Sequence, residues 1–578
     1  MQPVRVTVGS LEQLREAGFL TGKAGSQPVC VFWHDGAAYA LDDRCPHMGF
    51  PLHRGTVEAG LVTCHWHNAR FDLCSGGTLD PFADDVRPYP VDIADGQVVI
   101  LVGGDPFGPE HHRRRLVDGL EQGLALVMAK AVLGLLEGSD PSRGPEDVLR
   151  VGLDFGTTYR ADGWGAGLTV LVAMANVLPD LDEADRPLAL VHALAFVSRD
   201  TRGRPPRFPL APLGGSVPAE RLAGWYRRFI ETRSSDAAER ALVSALETPE
   251  SLSGVEAMMT AAATDHVFLD GGHTLDFTNK AFEAVALLGG DVAAQVLPTL
   301  VRGTARASRA EEGGSWRYPV DLVALMDSAF VRLPELLAEV DPLAAAGTWD
   351  DVAGLAWTML EEEPAAIVGG ICAAIAAGAT PEQLGRSVAY AGALRITRFH
   401  TQNDHGDWDV VHHGFTAANA VHQLLVRSPT PELLRAVFHG AMRVYQDRFL
   451  NVPAARPPQA RPGVTLDELS ACWDEQGRVD DAGAIAYSWL HDGGDSRLLV
   501  AALGRALLAE DAGFHWYQTY EAAVRQFHAW PAGSEEGQLI LVGCARFLAA
   551  HTPTRRELAQ VVRTATRLRR GEALFEEA

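Results

Sequence analysis

Lysine is almost missing from this chain of 578 residues: Lys23, Lys130 and Lys280 are the whole set, and arginine supplies the remaining positive charge. Acids outnumber bases by 74 to 50, a formal charge of −24. A field of that sign repels polyphosphates, which argues against nucleic-acid and anionic-membrane partners. Cysteine is scarce too. Cys30, Cys45, Cys64, Cys74, Cys372, Cys472 and Cys544 are too thinly spread for a disulfide framework, and the expected setting is a reducing cytoplasm. Long apolar runs are lacking: Ala365–Ala379 is the longest, too short to cross a bilayer, and reads as a buried helix. Met1–Thr21 carries charges where a secretion signal needs an apolar centre. There is no P-loop, and Gly152–Gly156 and Gly163–Gly167 are too loose for a dinucleotide fingerprint. What remains, 47% hydrophobic and 21% charged, is the composition of a folded protein. The length requires more than one domain.

The pattern changes near residue 104. Before it, β-type runs at Pro28–Trp33, Ala37–Leu41, Leu61–Cys64 and Gln97–Val102 alternate with turn signals such as His34-Asp35-Gly36 and Ala94-Asp95-Gly96. After the breaker-rich stretch Gly103–Pro109, apolar residues recur at helical spacing. The spacing predicts helices over Leu116–Leu136, Ala166–Leu178, Pro187–Val197, Ala281–Leu288, Pro381–Arg398, Pro431–Phe449, Arg497–Leu508 and Arg555–Leu568. Pro/Arg-rich loops are expected at Thr201–Pro212 and Pro453–Pro462. The expected organisation is a small all-β domain at 1–103, a linker at 104–112 and a large all-α domain at 113–578.

The strongest motif lies in the first part. Cys45-Pro46-His47-Met48-Gly49 is followed, with sixteen residues between His47 and Cys64, by Cys64-His65-Trp66-His67. Asp43 precedes the first loop, Gly55 and Gly60 lie between, and Phe71-Asp72 and Gly76-Gly77 follow. Over Val4–Val102 this resembles the Rieske [2Fe–2S] domain family. The resemblance implies that Cys45 and Cys64 hold one iron and His47 and His67 the other, an asymmetry that raises the reduction potential above that of an all-cysteine cluster. The cytochrome-complex branch carries an extra cysteine in each loop. Phe50 and Trp66 stand there instead, which points to the lower-potential, oxygenase-associated type. His65 occupies a place where that family commonly has proline, so it reads as a neighbour and His67 as the ligand. The alternative for such a Cys/His set is a zinc site, which would not account for the flanking β-turn pattern.

The helical part holds a second constellation. Asp265-His266-x₃-Asp270-x₂-His273 recurs as Asp404-His405-x₃-Asp409-x₂-His412, each followed by Phe-Thr. This reads as a helix-loop-helix repeat. Two such loops brought together would offer His266, His273, His405 and His412 with Asp270 and Asp409, donors suited to one or two iron ions with positions open for O₂. Glu283 and His422, about three turns along the following helices, are candidates to complete the site, and His413 enriches the second copy. The alternatives are that the acids cap helices and the histidines satisfy backbone groups. His192 reads as a core histidine. His491-Asp492, His515-Trp516-Tyr517, Arg395 and Arg398 are weaker candidates for lining a cavity. At its His273 and His413 helix starts the helical part resembles questin-oxidase-like proteins, which are helical oxygenases, over a few residues that carry no roles across. The β-rich iron module of ring-hydroxylating Rieske oxygenases is not expected, since its Asp-x₂-His-x₄-His pattern is absent.

Together these features predict an oxidoreductase. An external reductase or ferredoxin supplies electrons to the [2Fe–2S] domain, and a His/Asp site in the helical domain uses them for O₂-dependent oxidation of a small organic substrate, with His273 and His412 as the central pair. Transfer between the two parts is open to a single chain or a homo-oligomer. Two alternatives are a non-catalytic electron carrier or redox sensor with a helical binding scaffold, and an oxygenase whose helical histidines act as acid–base groups without metal.

Overall fold

The computed structural model describes residues 4–103, 107–138, 143–247, 252–339 and 349–574. Ten strands come first: β1 (Val4–Ser10), β2 (Phe19–Ala24), β3 (Gln27–His34), β4 (Ala37–Asp42), β5 (Thr56–Glu58), β6 (Leu61–Thr63), β7 (Arg70–Asp72), β8 (Pro88–Tyr89), β9 (Val91–Ala94) and β10 (Gln97–Val102). They form three antiparallel sheets, ordered β1-β10-β9, β2-β3-β4-β8 and β5-β6-β7. Alternation along β3 separates two cores. Val29 and Val31 pack with Leu14, Val98 and Ile100, while Cys30 and Phe32 pack with Leu52, Val62, Phe71 and the two cysteines Cys45 and Cys64. The second core therefore lies beneath the Cys/His loops. A short helix, Leu11–Ala17, joins β1 to β2 and starts at a capping box of Ser10 and Gln13.

Among the described residues no strand follows Val102, and the remainder is helical. The expected helices are present with shifted ends, except that the run Leu116–Leu136 is two helices, Pro109–Gln122 and Ala125–Leu136. Gly123 parts them in the left-handed region at φ 68°. Residues 104–106 of the expected linker lie outside the described residues, and helix begins already at Pro109. The apolar run at 365–379 is the helix Pro364–Ala376. No described helix is long and apolar enough to cross a membrane.

The chain divides into two compact units. The first is residues 1–155, 187–202 and 556–578; the second is 156–186 and 203–555. In the first, the strands share their unit with helices from elsewhere in the chain. Gln27 donates to the carbonyl of Arg569 at 2.7 Å, Arg115 pairs with Asp84 at 3.0 Å, and the Lys130 ammonium donates to the carbonyl of Pro46. His192 is buried in this unit, on the helix Arg186–Thr201. In the second unit the helices Pro381–Thr397 and His405–Arg427 lie close together. A side chain at Gly385 or Gly392, one heptad apart, would come within 2.9 Å of the backbone at His422 or Phe415.

The Asp-His repeat does not survive as a repeat of local structure. In the first copy Asp265 follows the helix Leu252–Thr264, Asp270 sits at φ 50° in the turn Leu269–Gly272, and His273 opens the helix His273–Leu288. In the second copy Asp404 caps a helix that already contains His405, Asp409 and His412. Equal spacing along the chain thus places the members at different angles and depths, because a loop and a helix advance differently per residue.

Candidate functional site

The two Cys/His loops are built alike. The Cys45 amide donates to the Phe50 carbonyl and the Cys64 amide to the Ala69 carbonyl, both at 2.8 Å and five residues apart. Gly49 and Asn68 return amides to the carbonyls of Cys45 and Cys64, and both adopt positive φ, at 78° and 61°. Each loop is thereby closed by its own backbone. Asp43 fixes the first loop from behind. It accepts the His53 amide at 2.8 Å and lies 2.6 Å from His53 Nδ1.

Both thiols are buried and share a hydrogen bond. That bond, with desolvation working against it, brings the Cys64 thiol down to about 6, while the same bond and burial push Cys45 well up. The His47 and His67 rings meet edge to face at 4.6 Å. Burial and then the neighbouring His67 lower the pKa of His47, keeping it neutral, and its Nδ1 is buried without a hydrogen-bond partner among the described residues. Two thiols and two rings on facing loops, with one ring nitrogen left unused, fit a cluster with mixed sulfur and nitrogen ligation. His65 points elsewhere: its Nε2 lies 2.6 Å from Thr56 Oγ1.

The second unit gathers its own donors. His273 on the helix His273–Leu288, Asp409, His412 and His413 on the helix His405–Arg427, and His515 on the helix Phe514–His528 converge. His412 lies at ring distances of 4.0 Å from His413 and 4.1 Å from His515. His413 is 4.5 Å from His515 and 4.9 Å from His273. Ligand atoms of two triads, His273/His413/His515 and Asp409/His412/His515, come within 4.8 Å of one another. Phe277 and Phe514 flank His273. His412 is 0% exposed, and neither of its ring nitrogens has a partner among the described residues. Leaving a buried imidazole unsatisfied costs on the order of 1–3 kcal/mol per polar atom unless something binds there. Burial, reinforced by the neighbouring imidazoles, lowers His412 well below its usual pKa, His413 to about 3 and His515 to about 4. All three are neutral donors at pH 7, the form a metal takes. Asp409, partly buried, stays ionised because His551 Nε2 lies 3.2 Å from its carboxylate. The His551 Nδ1 faces the Phe547 carbonyl at 2.8 Å.

Five of the expected helical residues stand apart from this cluster or only border it. His266 is held between Glu311 at 2.9 Å and Glu231 at 3.0 Å, because the turn at Leu269–Gly272 separates it from His273. Asp270 acts on His273 only as a nearby charge, and Asp265 is bound by Arg227 and Arg435. The side chain of His405 lies outside the described residues. Glu283 pairs with Lys280 at 2.8 Å, and His422 Nδ1 lies 3.1 Å from Gln526, so neither completes the cluster. His515 and His551 were the hidden members. His515 stood out in sequence only as part of His-Trp-Tyr, and His551 by nothing, since both reach the site through helix packing.

Comparison with known proteins decides the amino-terminal part. Residues 4–90 match the Rieske [2Fe–2S] domain family. The anthranilate 1,2-dioxygenase ferredoxin subunit of Burkholderia cepacia is 34% identical over 97 residues, which is 17% of this chain and 90% of that protein. The chain belongs to the Rieske [2Fe–2S] domain family. The ferredoxin component of the naphthalene 1,2-dioxygenase/salicylate 5-hydroxylase systems of Ralstonia is 27% identical, over 16% of this chain and 92% of the relative. The solved ferredoxin of carbazole 1,9a-dioxygenase from Nocardioides aromaticivorans IC177 is 24% identical over 18% of this chain and all of that one, with a TM-score of 0.17 against the full length. A Rieske domain implies a [2Fe–2S] cluster and electron transfer, and the paired Rieske loops have the donor set for it.

Proposed function

We propose that the Rieske domain, binding its cluster through Cys45, His47, Cys64 and His67, accepts single electrons from an external reductase or ferredoxin. The helical unit spends them on O₂-dependent oxidation of a small organic molecule. The observation that carries this reading is the fully buried His412, with both ring nitrogens unpartnered, set among His413, His515 and Asp409. His273, His412, His413, His515 and Asp409 would hold one or two further iron ions, which supply a reducible centre with positions open to O₂. The chain's own residues do the rest. His551 orients Asp409, Phe277 and Phe514 shield one side of His273, and burial keeps the imidazoles neutral and ready to bind.

Metal analysis of aerobically purified holoprotein tests the reading. Iron beyond the two atoms of the cluster, lost in a His412→Ala/His515→Ala double variant that keeps the Rieske signal, is the expected result. A wild-type protein with the cluster's iron and no other transition metal ends it.

One observation favours a second reading. Two of the matched relatives are themselves ferredoxin components, covered to 90% and 92%, which supports the Rieske domain as a carrier with the helices as a docking scaffold. In that case changing His273 and His412 together leaves a partner oxygenase's turnover untouched.

A further inference from the structure

Two helices of the second unit, His273–Leu288 and Phe514–His528, carry polar residues that meet pair by pair below the histidine site. At the site the His273 and His515 rings stack at 5.7 Å, 8° from parallel. One turn on, the Gln518 side-chain amide donates to Asp276. The next pair is Lys280 with Glu521 at 2.9 Å, and the last is Glu283 with Arg525 at 3.5 Å. Steps of three or four residues keep each series on one helix face. Asp276, Lys280, Glu283, Gln518 and Glu521 are all buried. Buried ion pairs add little stability over well-packed apolar residues, so core packing alone does not account for such a column.

The charges along the column are unevenly served. Glu283 and Glu521 share the Lys280 ammonium at 2.8 and 2.9 Å and receive the Asn176 amide at 2.7 and 3.1 Å; Asn279 adds a bond to Glu283 at 3.0 Å. Among the described residues Asp276 has Gln518 as its hydrogen-bond partner and no ion pair with a cation. Two cations, Lys280 and Arg525, balance two carboxylates when Asp276 is neutral. Burial, opposed by Lys280 and aided by Glu521 and Glu283, holds its carboxyl up at about 7. The Gln518 Oε1 is buried without a partner among the described residues. A protonated Asp276 would donate to that oxygen once the side-chain amide is turned over, its O and N being interchangeable in shape. The facing groups from other elements are accounted for. The helix Ala166–Val177 contributes the neutral Asn176. On the helix His405–Arg427, Arg427 is engaged by Glu256 and Asn279 at 2.8 and 3.1 Å.

We propose that Asp276, in its acid form one helical turn beneath His273 and His515, is the proton store of the histidine site, held there by the Lys280–Glu521–Glu283–Arg525 column. This rests on the reading of that site as one that reduces O₂. Oxidation of a C–H group to an alcohol consumes O₂, two electrons and two protons and releases water. The electrons come through the Rieske domain from the external reductase. The Asp276 O–H bond breaks to give one of the two protons, solvent supplies the other, and solvent reprotonates the carboxylate between turnovers. The acid form is the active one, so the rate falls as pH rises through about 7.

Photoreduced holoprotein mixed with O₂ across a pH range tests this, with cluster reoxidation followed optically. The expected result is an alkaline fall near neutrality in the wild type and a pH-independent rate about 100-fold lower in Asp276→Asn, with metal content and the Rieske signal unchanged. Infrared difference spectra of the wild type, labelled with ¹³C-aspartate, need no variant and should show a protonated carboxyl lost over the same pH range. Reoxidation by O₂ with a pH profile unaltered in Asp276→Asn, or no such carboxyl band, overturns the proton store while leaving the oxidation reading intact. A wild type whose reduced cluster O₂ does not reoxidise ends the oxidation reading, and this role with it.

Discussion

The Rieske loops and the helical histidine site gather similar donors out of very different lengths of chain. All four donors of the first lie between Cys45 and His67, on two loops closed by their own backbone hydrogen bonds. The second draws on His273, the Asp409–His413 turn and His515, with His551 behind them, and these come from helices far apart in the chain. Loop-borne donors can be removed one at a time with the fold left standing. Helix-borne donors are tied to the packing that assembles them, and to the charged column beneath.

Four experiments break or sharpen that contrast. The largest effect is expected from Cys64→Ser, which removes a thiolate that no neighbour replaces. The protein should fold with unchanged helical circular dichroism and lose the visible absorption and reduced-state paramagnetic signal completely. A retained signal would mean the ligand set is wrong. His515→Ala comes next. Because His515 belongs to both triads, it should empty the helical site of metal while the Rieske signal stays at full strength, and metal remaining at the wild-type level would show that the triads are not the ligands. Lys280→Met should cost about 3–5 kcal/mol in urea unfolding, since it takes from buried Glu283 and Glu521 the ammonium they share and leaves Arg525, 3.5 Å from Glu283, to balance both; a cost below about 1 kcal/mol would mean the column is already neutral. The smallest change is expected from His65→Ala. It forfeits one exposed contact to Thr56, so cluster content should match the wild type, and loss of the cluster would make His65 a ligand in place of His67.

The same contrast explains what the sequence shows. Cys-x-His and Cys-x₂-His, with glycine or asparagine closing each loop, are short-range geometry and can be read directly. The boundary between strands and helices is equally plain from the change in period near residue 104. His273, His412 and Asp409 were also legible, though by way of a repeat whose two copies fold differently. His266 and Asp270 were misplaced by that repeat, because equal spacing in a turn and in a helix points side chains in unrelated directions. His515 had only the weak His-Trp-Tyr signal, and His551 had none. Their positions follow from how the helices Phe514–His528 and Glu535–His551 pack, which no spacing rule conveys. The column below the site is a similar case: the steps from His273 to Glu283 are regular, but their partners lie on a helix more than two hundred residues later in the sequence.

The hydrogen bond from Gln27 to the carbonyl of Arg569 spans 542 positions of the chain. The compact unit that holds the Cys/His loops therefore joins two segments far apart in the chain, the strand Gln27–His34 and the helix Glu557–Arg569. The loops close by local backbone bonds alone, whereas the unit around them closes only when that distant helix docks, its Leu568 lying beside Gly49. Truncating the chain before Glu557 would therefore remove one wall of the first loop's surroundings while leaving both loops' own backbone bonds intact.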